Sequence, residues 1–170
     1  QVARITNLVQ YPKTTSARAV LNLAAGNAGW GGTGSRTTTM VADATAPSGG
    51  GYWTHIANSA AGTTQFNNLA GTSSAIAATA GQPYVGIIYV RSNEPLKVAF
   101  QLMTSNASGA ETGRITGPTV ILVPGQITPL TVSGIMPATA TRFVQLVLST
   151  DAVAYTAACV LDIDAALIEQ

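Results

Sequence analysis

Residues 96–104 read Leu96-Lys97-Val98-Ala99-Phe100-Gln101-Leu102-Met103-Thr104. In an extended chain successive side chains point to opposite faces, so Leu96, Val98, Phe100 and Leu102 share one side. Lys97, Ala99, Gln101 and Met103 share the other, and this two-residue period predicts a strand with one buried face. The pattern recurs outward from this stretch. In 142–149, Val144, Leu146 and Leu148 lie opposite Phe143, Gln145 and Val147. In 159–168, Cys159, Leu161, Ile163, Ala165 and Leu167 alternate with Val160, Asp162, Asp164, Ala166 and Ile168. The run Tyr84–Val90 is apolar on both sides and predicts a central strand buried on both faces. Further strands are expected at 17–24, 36–43, 52–57, 74–80, 119–123 and 127–133. Turn chemistry separates them: Gly26-Asn27, Gly31-Gly32, Pro47–Gly51, Asn93-Glu94-Pro95, Ser108-Gly109 and Pro124-Gly125. Short strands with dense turns predict an all-β fold, two antiparallel sheets of about four or five strands each, with little helix.

Composition narrows the class. A chain of 170 residues corresponds to about one domain, here 1–170, large enough to bury a core without staples. Cys159 has no second cysteine to pair with, which excludes an internal disulfide and a cysteine-rich metal knuckle. Only 9% of residues are charged, yet 46% are hydrophobic, the opposite of the balance that keeps a chain disordered. A net charge of +1 gives no electrostatic basis for nucleic-acid binding or an anionic membrane surface. No apolar run approaches the roughly 20 residues of a membrane-spanning helix. The chain opens Gln1-Val2-Ala3 without initiator Met or signal peptide, as expected of a processed product or an excerpt. There are 28 Ala and 23 Thr, but not the 3.6-residue apolar spacing of helices. Thr37-Thr38-Thr39 suits a pleated, half-wet surface.

Four segments in order resemble the jelly-roll domains of the carbohydrate-binding-module-like type, common in glycoside hydrolases and phage tail proteins. They are the opening Thr6-Asn7-Leu8-Val9-Gln10-Tyr11-Pro12, the pair Gly29-Trp30, the segment Val123–Ser133, and the final stretch Leu161–Glu169. Lys13-Thr14-Thr15 stands where the pattern carries an acidic residue, and Ile127 where it carries an aromatic one. The resemblance implies a jelly-roll β-sandwich. With a surface kept soluble by hydroxyls in place of charges, it implies a non-enzymatic virion protein, a phage tail-fibre or minor tail domain. Expected partners are other virion proteins, further copies of the chain in a homo-oligomer, and host-surface carbohydrate. Alternatives are a phage capsid decoration protein and a module of a secreted glycoside hydrolase.

Chemistry-bearing residues are few. His55 is the sole histidine, so a Ser-His-Asp triad would need it, with Asp43 or Asp151 behind. No Gly-x-Ser-x-Gly elbow accompanies it, and a polar residue at a strand end is the plainer reading. Asp162 and Asp164 share one strand face roughly 7 Å apart. A glycosidase needs its acid and base on opposing walls, so an oxygen-rich site for a hard cation suits them better. The resemblance likewise implies a structural calcium ion at Asp164. Tyr52 and Trp53, after Gly49-Gly50-Gly51, are the expected stacking platform for a sugar, one ring outward and the other in the core. Trp30 is expected to pack inside. Gln101, Arg91, Lys97, Asn67 and Asn68 are candidates to hydrogen-bond ligand hydroxyls, or else form a solvated sheet face. Asn106-Ala107-Ser108 has the form of a glycosylation sequon, and Cys159 is expected to be a small buried hydrophobe.

Overall fold

The computed structural model describes residues 36–47, 51–58, 60–61, 66–67, 76–140, 142–150 and 155–169. Ten strands occur among these residues: β1 (Arg36–Ala42), β2 (Tyr52–Asn58), β3 (Phe66–Asn67), β4 (Ile76–Ala77), β5 (Pro83–Ser92), β6 (Lys97–Ser105), β7 (Glu111–Ile121), β8 (Thr128–Ile135), β9 (Arg142–Thr150) and β10 (Val160–Glu169). They form two antiparallel sheets, ordered β1-β2-β10-β5-β8 and β3-β9-β6-β7, with β4 also paired to β9. Among the described residues there is no helix. The chain changes sheet at nearly every connection from β4 onward, with the β6–β7 hairpin the exception. This gives the jelly-roll β-sandwich that the alternation and resemblance led us to expect. The expected strand at 17–24, the opening segment 6–12 and Gly29-Trp30 lie outside the described residues.

The sequence stretch 96–104 sits as its period requires. Leu96, Val98, Phe100 and Leu102 are all fully buried between the sheets. They pack with Ile56, Ile88, Val90, Leu130, Val132, Leu161 and Ile163 from the other sheet, and with Cys159 just before β10. Leu146 and Leu148 of β9 stand in register opposite Leu102 and Phe100; their side chains, and that of Val144, lie outside the described residues. Each fully buried Leu, Ile or Phe contributes about 1.5–3 kcal/mol relative to exposure, so this interleaved layer holds the sandwich together.

Two expectations are corrected. Tyr84–Val90 was expected to be buried on both faces, but β5 buries only one. Tyr84, Ile88 and Val90 face the core while Val85 is 54% exposed. An antiparallel sheet can leave its second face to solvent, and no layer of described residues covers Val85. In β10 the alternation breaks, because a register shift falls between Asp164 and Leu167 opposite β5. Leu161 and Ile163 are in the core before it, and Ile168, expected on the face of Asp162, is in the core after it; the side chains of 165–167 lie outside the described residues. β7 is also longer than the expected 119–123; of the expected 74–80 strand, Ile76–Ala77 is strand and 78–80 is not, while 74–75 lie outside the described residues.

The sandwich closes along β7 and β8, the end strands of their sheets. Both carry a proline inside the strand, Pro118 and Pro129, a residue tolerated at edges because it lacks the ladder donor. The backbones come together where side chains are missing. A Cβ on Gly117 would meet the Thr131 carbonyl oxygen at 1.9 Å, and one on Gly134 would meet Ile115 Cγ2 at 2.5 Å. The clash at Gly117 is with backbone, which cannot rotate away. Gly117→Ala should therefore destabilise the fold by roughly 1–3 kcal/mol or more. At about 2–4 °C per kcal/mol for a chain of this size, calorimetry should show a clearly lower melting temperature; an unchanged one would mean the edges do not touch there.

Candidate functional site

Register places the charged chemistry on the outer face of the first sheet. Asp162 is the cross-strand partner of His55 on β2 and of Arg91 on β5. Leu161, one step away, pairs with Ile56 in the core, so Asp162, His55 and Arg91 all point outward. Neighbouring strands lie about 4.8 Å apart, which brings three such side chains within direct reach. Asp162 Oδ1 lies 2.7 Å from His55 Nδ1. Its Oδ2 accepts from Arg91 Nε at 3.0 Å and Nη2 at 2.8 Å.

Asp43 completes the row. It follows β1 in the turn closed by its own N–H donating to the Gly51 carbonyl at 2.8 Å. Gly51 has φ 75, a conformation that glycine adopts without a steric penalty. Asp43 Oδ1 accepts from the N–H and Oγ1 of Thr45 at 2.8 and 2.7 Å, leaving Oδ2 to accept from Arg91 Nη1 at 2.9 Å. The Thr45 hydroxyl and N–H, followed by Arg91, hold the Asp43 carboxyl down to about 2. A group depressed in the folded state adds stability at pH values above its ordinary one. That contribution fades as the pH falls toward 2 and Asp43 protonates.

The guanidinium also covers an aromatic ring. Arg91 Cζ lies 4.8 Å from the centroid of Trp53, a cation–π arrangement worth about 0.5–2 kcal/mol. Trp53 is fully buried, and its Nε1 has no hydrogen-bond partner among the described residues. Trp53, expected as a stacking platform, thus lies beneath Arg91 with no surface open to a sugar. The Tyr52 side chain lies outside the described residues. Asp162, expected to ligate a hard cation, meets the guanidinium of Arg91 and the imidazole of His55. Asp164 is buried in register with Tyr89. Among the described residues no group of three or more His, Cys, Asp or Glu side chains could hold a metal ion. The carboxylate behind His55 is Asp162, not Asp43; Asp151 lies outside the described residues.

Gln101 belongs to a different surface. Its neighbours Phe100 and Leu102 are in the core, so it points out of the second sheet, a sandwich thickness away from Arg91. There its Oε1 accepts from Arg114 Nη1 at 3.4 Å, while Arg114 Nε donates to Glu111 at 2.9 Å. Lys97 belongs to that strand too. Asn67 pairs with Val147 through its backbone, and Asn68 lies outside the described residues. Of the expected ligand-binding set, only Arg91 and Trp53 come together among the described side chains.

At one end of the first sheet a second network fixes the loops. Asn93 Oδ1 accepts from Val160 N at 2.8 Å and its Nδ2 donates to the Ala158 carbonyl at 2.8 Å. Glu94 accepts from the N–H and hydroxyl of Thr156 at 2.7 and 2.8 Å. Burial opposes the charge on Glu94, but these Thr156 bonds outweigh it and hold the carboxyl below its usual value. Burial, with Glu94 nearby, pushes the Cys159 thiol up to about 12, which makes it an inert core residue as its sequence position suggested.

No family model matches the chain, and no curated protein matches it in sequence. Solved structures do share the fold. The chain is similar to the CBM22-1–GH10 modules of endo-1,4-beta-D-xylanase 10B from Clostridium thermocellum, complexed with xylohexaose. That match has 16% identity and a TM-score of 0.57, over 85% of this chain and 26% of that one. It is similar to the C-terminal family 22 carbohydrate-binding module of the same enzyme, with 14% identity and a TM-score of 0.54 over 82% of this chain and 83% of that one. It is also similar to the enzymatically active domain of tailspike protein 4 of bacteriophage CBA120, with 11% identity and a TM-score of 0.52. There the match covers 81% of this chain and 18% of that one. At these identities the likeness establishes a carbohydrate-binding-module-like fold.

The Asp162 pairing makes a sharp prediction. In Asp162→Asn the shape is kept, but Arg91 and His55 face an amide with half the acceptor capacity and no charge. Removing one partner of a largely buried pair should cost roughly 3 kcal/mol. Denaturant melts that differ by less than about 0.5 kcal/mol, the range of neutral surface changes, would show that the row is not formed.

Proposed function

We propose that the chain is a non-enzymatic glycan-binding domain of a phage virion, from a tail fibre or minor tail protein. The observation that carries the glycan half is the outer face of the first sheet. On a carbohydrate-binding-module-like fold it presents Arg91, His55 and Asp43, each roughly a quarter exposed at the side chain. They are anchored in a hydrogen-bonded row and not buried in a core. Such partly exposed polar groups on a rigid sheet can pair with hydroxyls without first being ordered. The virion half is supported by the likeness to a bacteriophage tailspike and by a chain with only 9% charged residues. Poorly charged surfaces lack the usual protection against association, which fits a homo-oligomer or a place among other virion proteins.

A second reading has its own support. The likeness to xylanase modules fits a carbohydrate-binding module attached to a secreted glycoside hydrolase, with the same ligand class and a different owner. Copies of the chain in purified phage particles, counted by mass spectrometry, would favour the virion. Either owner requires sugar binding. Calorimetry against glycans chosen by an array screen should give weak single-site binding, on the order of 0.1–1 mM, strengthened where several copies act together. An array and titrations that show no glycan bound at those concentrations would overturn the reading.

A further inference from the structure

Above Trp53, the group this face offers a ligand is a flat cation. Arg91 stands between Trp53 and solvent. One side of the guanidinium covers the indole at 4.8 Å, Trp53 is 0% exposed, and 23% of the Arg91 side chain reaches the surface. Its edge is largely committed. Nε, Nη2 and Nη1 donate to Asp162 and Asp43. These bonds occupy three of the five N–H hydrogens of a guanidinium, and about two are left over. The two carboxylates fix the plane and balance its charge.

Electrostatics decides what stacks there. The apolar face of a sugar ring presents C–H hydrogens of partial positive charge, which suit the negative face of an aromatic ring and not a cation. A ligand carboxylate would find the Arg91 charge already balanced and would be repelled by Asp43 and Asp162. A planar amide avoids both conflicts. It is neutral, its π electrons can lie over the cationic plane, and its carbonyl oxygen can accept an N–H that the carboxylates leave over.

We propose that this face recognises the acetamido group of an N-acetylated amino sugar, stacked on Arg91 with its carbonyl oxygen hydrogen-bonded to the guanidinium edge. The inference rests on the glycan-binding reading above and specifies its ligand class. The test titrates the full chain with N,N′-diacetylchitobiose and with cellobiose, which share a β-1,4-linked glucose-type backbone and differ in the acetamido groups. We expect the acetylated sugar to bind at least tenfold more tightly. Arg91→Lys keeps the charge but loses the plane, and should reduce that affinity to the cellobiose level. Should Arg91→Lys fail to fold, contacts in the parent protein decide. Nuclear Overhauser effects between the acetyl methyl and the Arg91 side chain are expected, and their absence in the bound state overturns the proposal. Equal binding of the two sugars, or full binding by folded Arg91→Lys, overturns this inference alone. Failure of both sugars to bind at 10 mM, together with a blank glycan array, overturns the glycan-binding reading beneath it.

Discussion

One guanidinium group ties four strands of the first sheet together. Arg91 belongs to β5, Asp162 to β10 and Trp53 to β2, while Asp43 closes the turn after β1. A charge held at this depth is stable only when paired and hydrogen-bonded, because the cost of leaving water is several kcal/mol per ion. Arg91 meets that requirement with carboxylates on two sides and an indole on a third. The arrangement therefore couples the strands: moving β5, β10 or the turn after β1 breaks an Arg91–carboxylate pair, and moving β2 uncovers the guanidinium. The same requirement sets the outer face apart from the core, where apolar contact alone suffices.

The rest of the sandwich is adjusted so that this row can exist. The shift between Asp164 and Leu167 lets β10 present Asp162 and Asp164 outward and still return Ile168 to the core. On the far side, Gly117 lets the backbones of β7 and β8 touch at Thr131, and Gly134 leaves room for the Ile115 side chain across the same edge. Asn93 and Glu94 clamp the loop that leads into β10, which fixes the level at which Asp162 enters the sheet. Loop and bulge together set the position of one carboxylate.

Much of this framework was legible along the chain. The period of Val98, Phe100 and Leu102 gave both the strand and its buried face, and Cys159 fell into the core as its parity required. Turn residues such as Asn93-Glu94-Pro95 and Pro124-Gly125 marked real turns. The site was far less legible, for a physical reason. Alternation says which way a side chain points, but not which distant strand lies beside it. Asp162 meets Arg91 across 71 residues of sequence and His55 across 107, and no local signal carries that register. Without it, Asp162 read as a cation ligand, Trp53 as an open platform, and Gln101 as a companion of Arg91 when the core separates them. An outward-facing Arg on one strand and an outward-facing Asp on another were the available signal, since opposite charges on a shared face seek each other.

The central claim is that the Arg91 guanidinium is a fixed plane, locked by two carboxylates over a buried indole. Side-chain nitrogen–proton NMR near neutral pH observes that plane directly. The account predicts that Arg91 gives separate, slowly exchanging signals for its Nη hydrogens, because rotation about its terminal bonds would break the contacts to Asp43 and Asp162. A single averaged Nη signal in rapid exchange with water, like that of a free surface arginine, would contradict it.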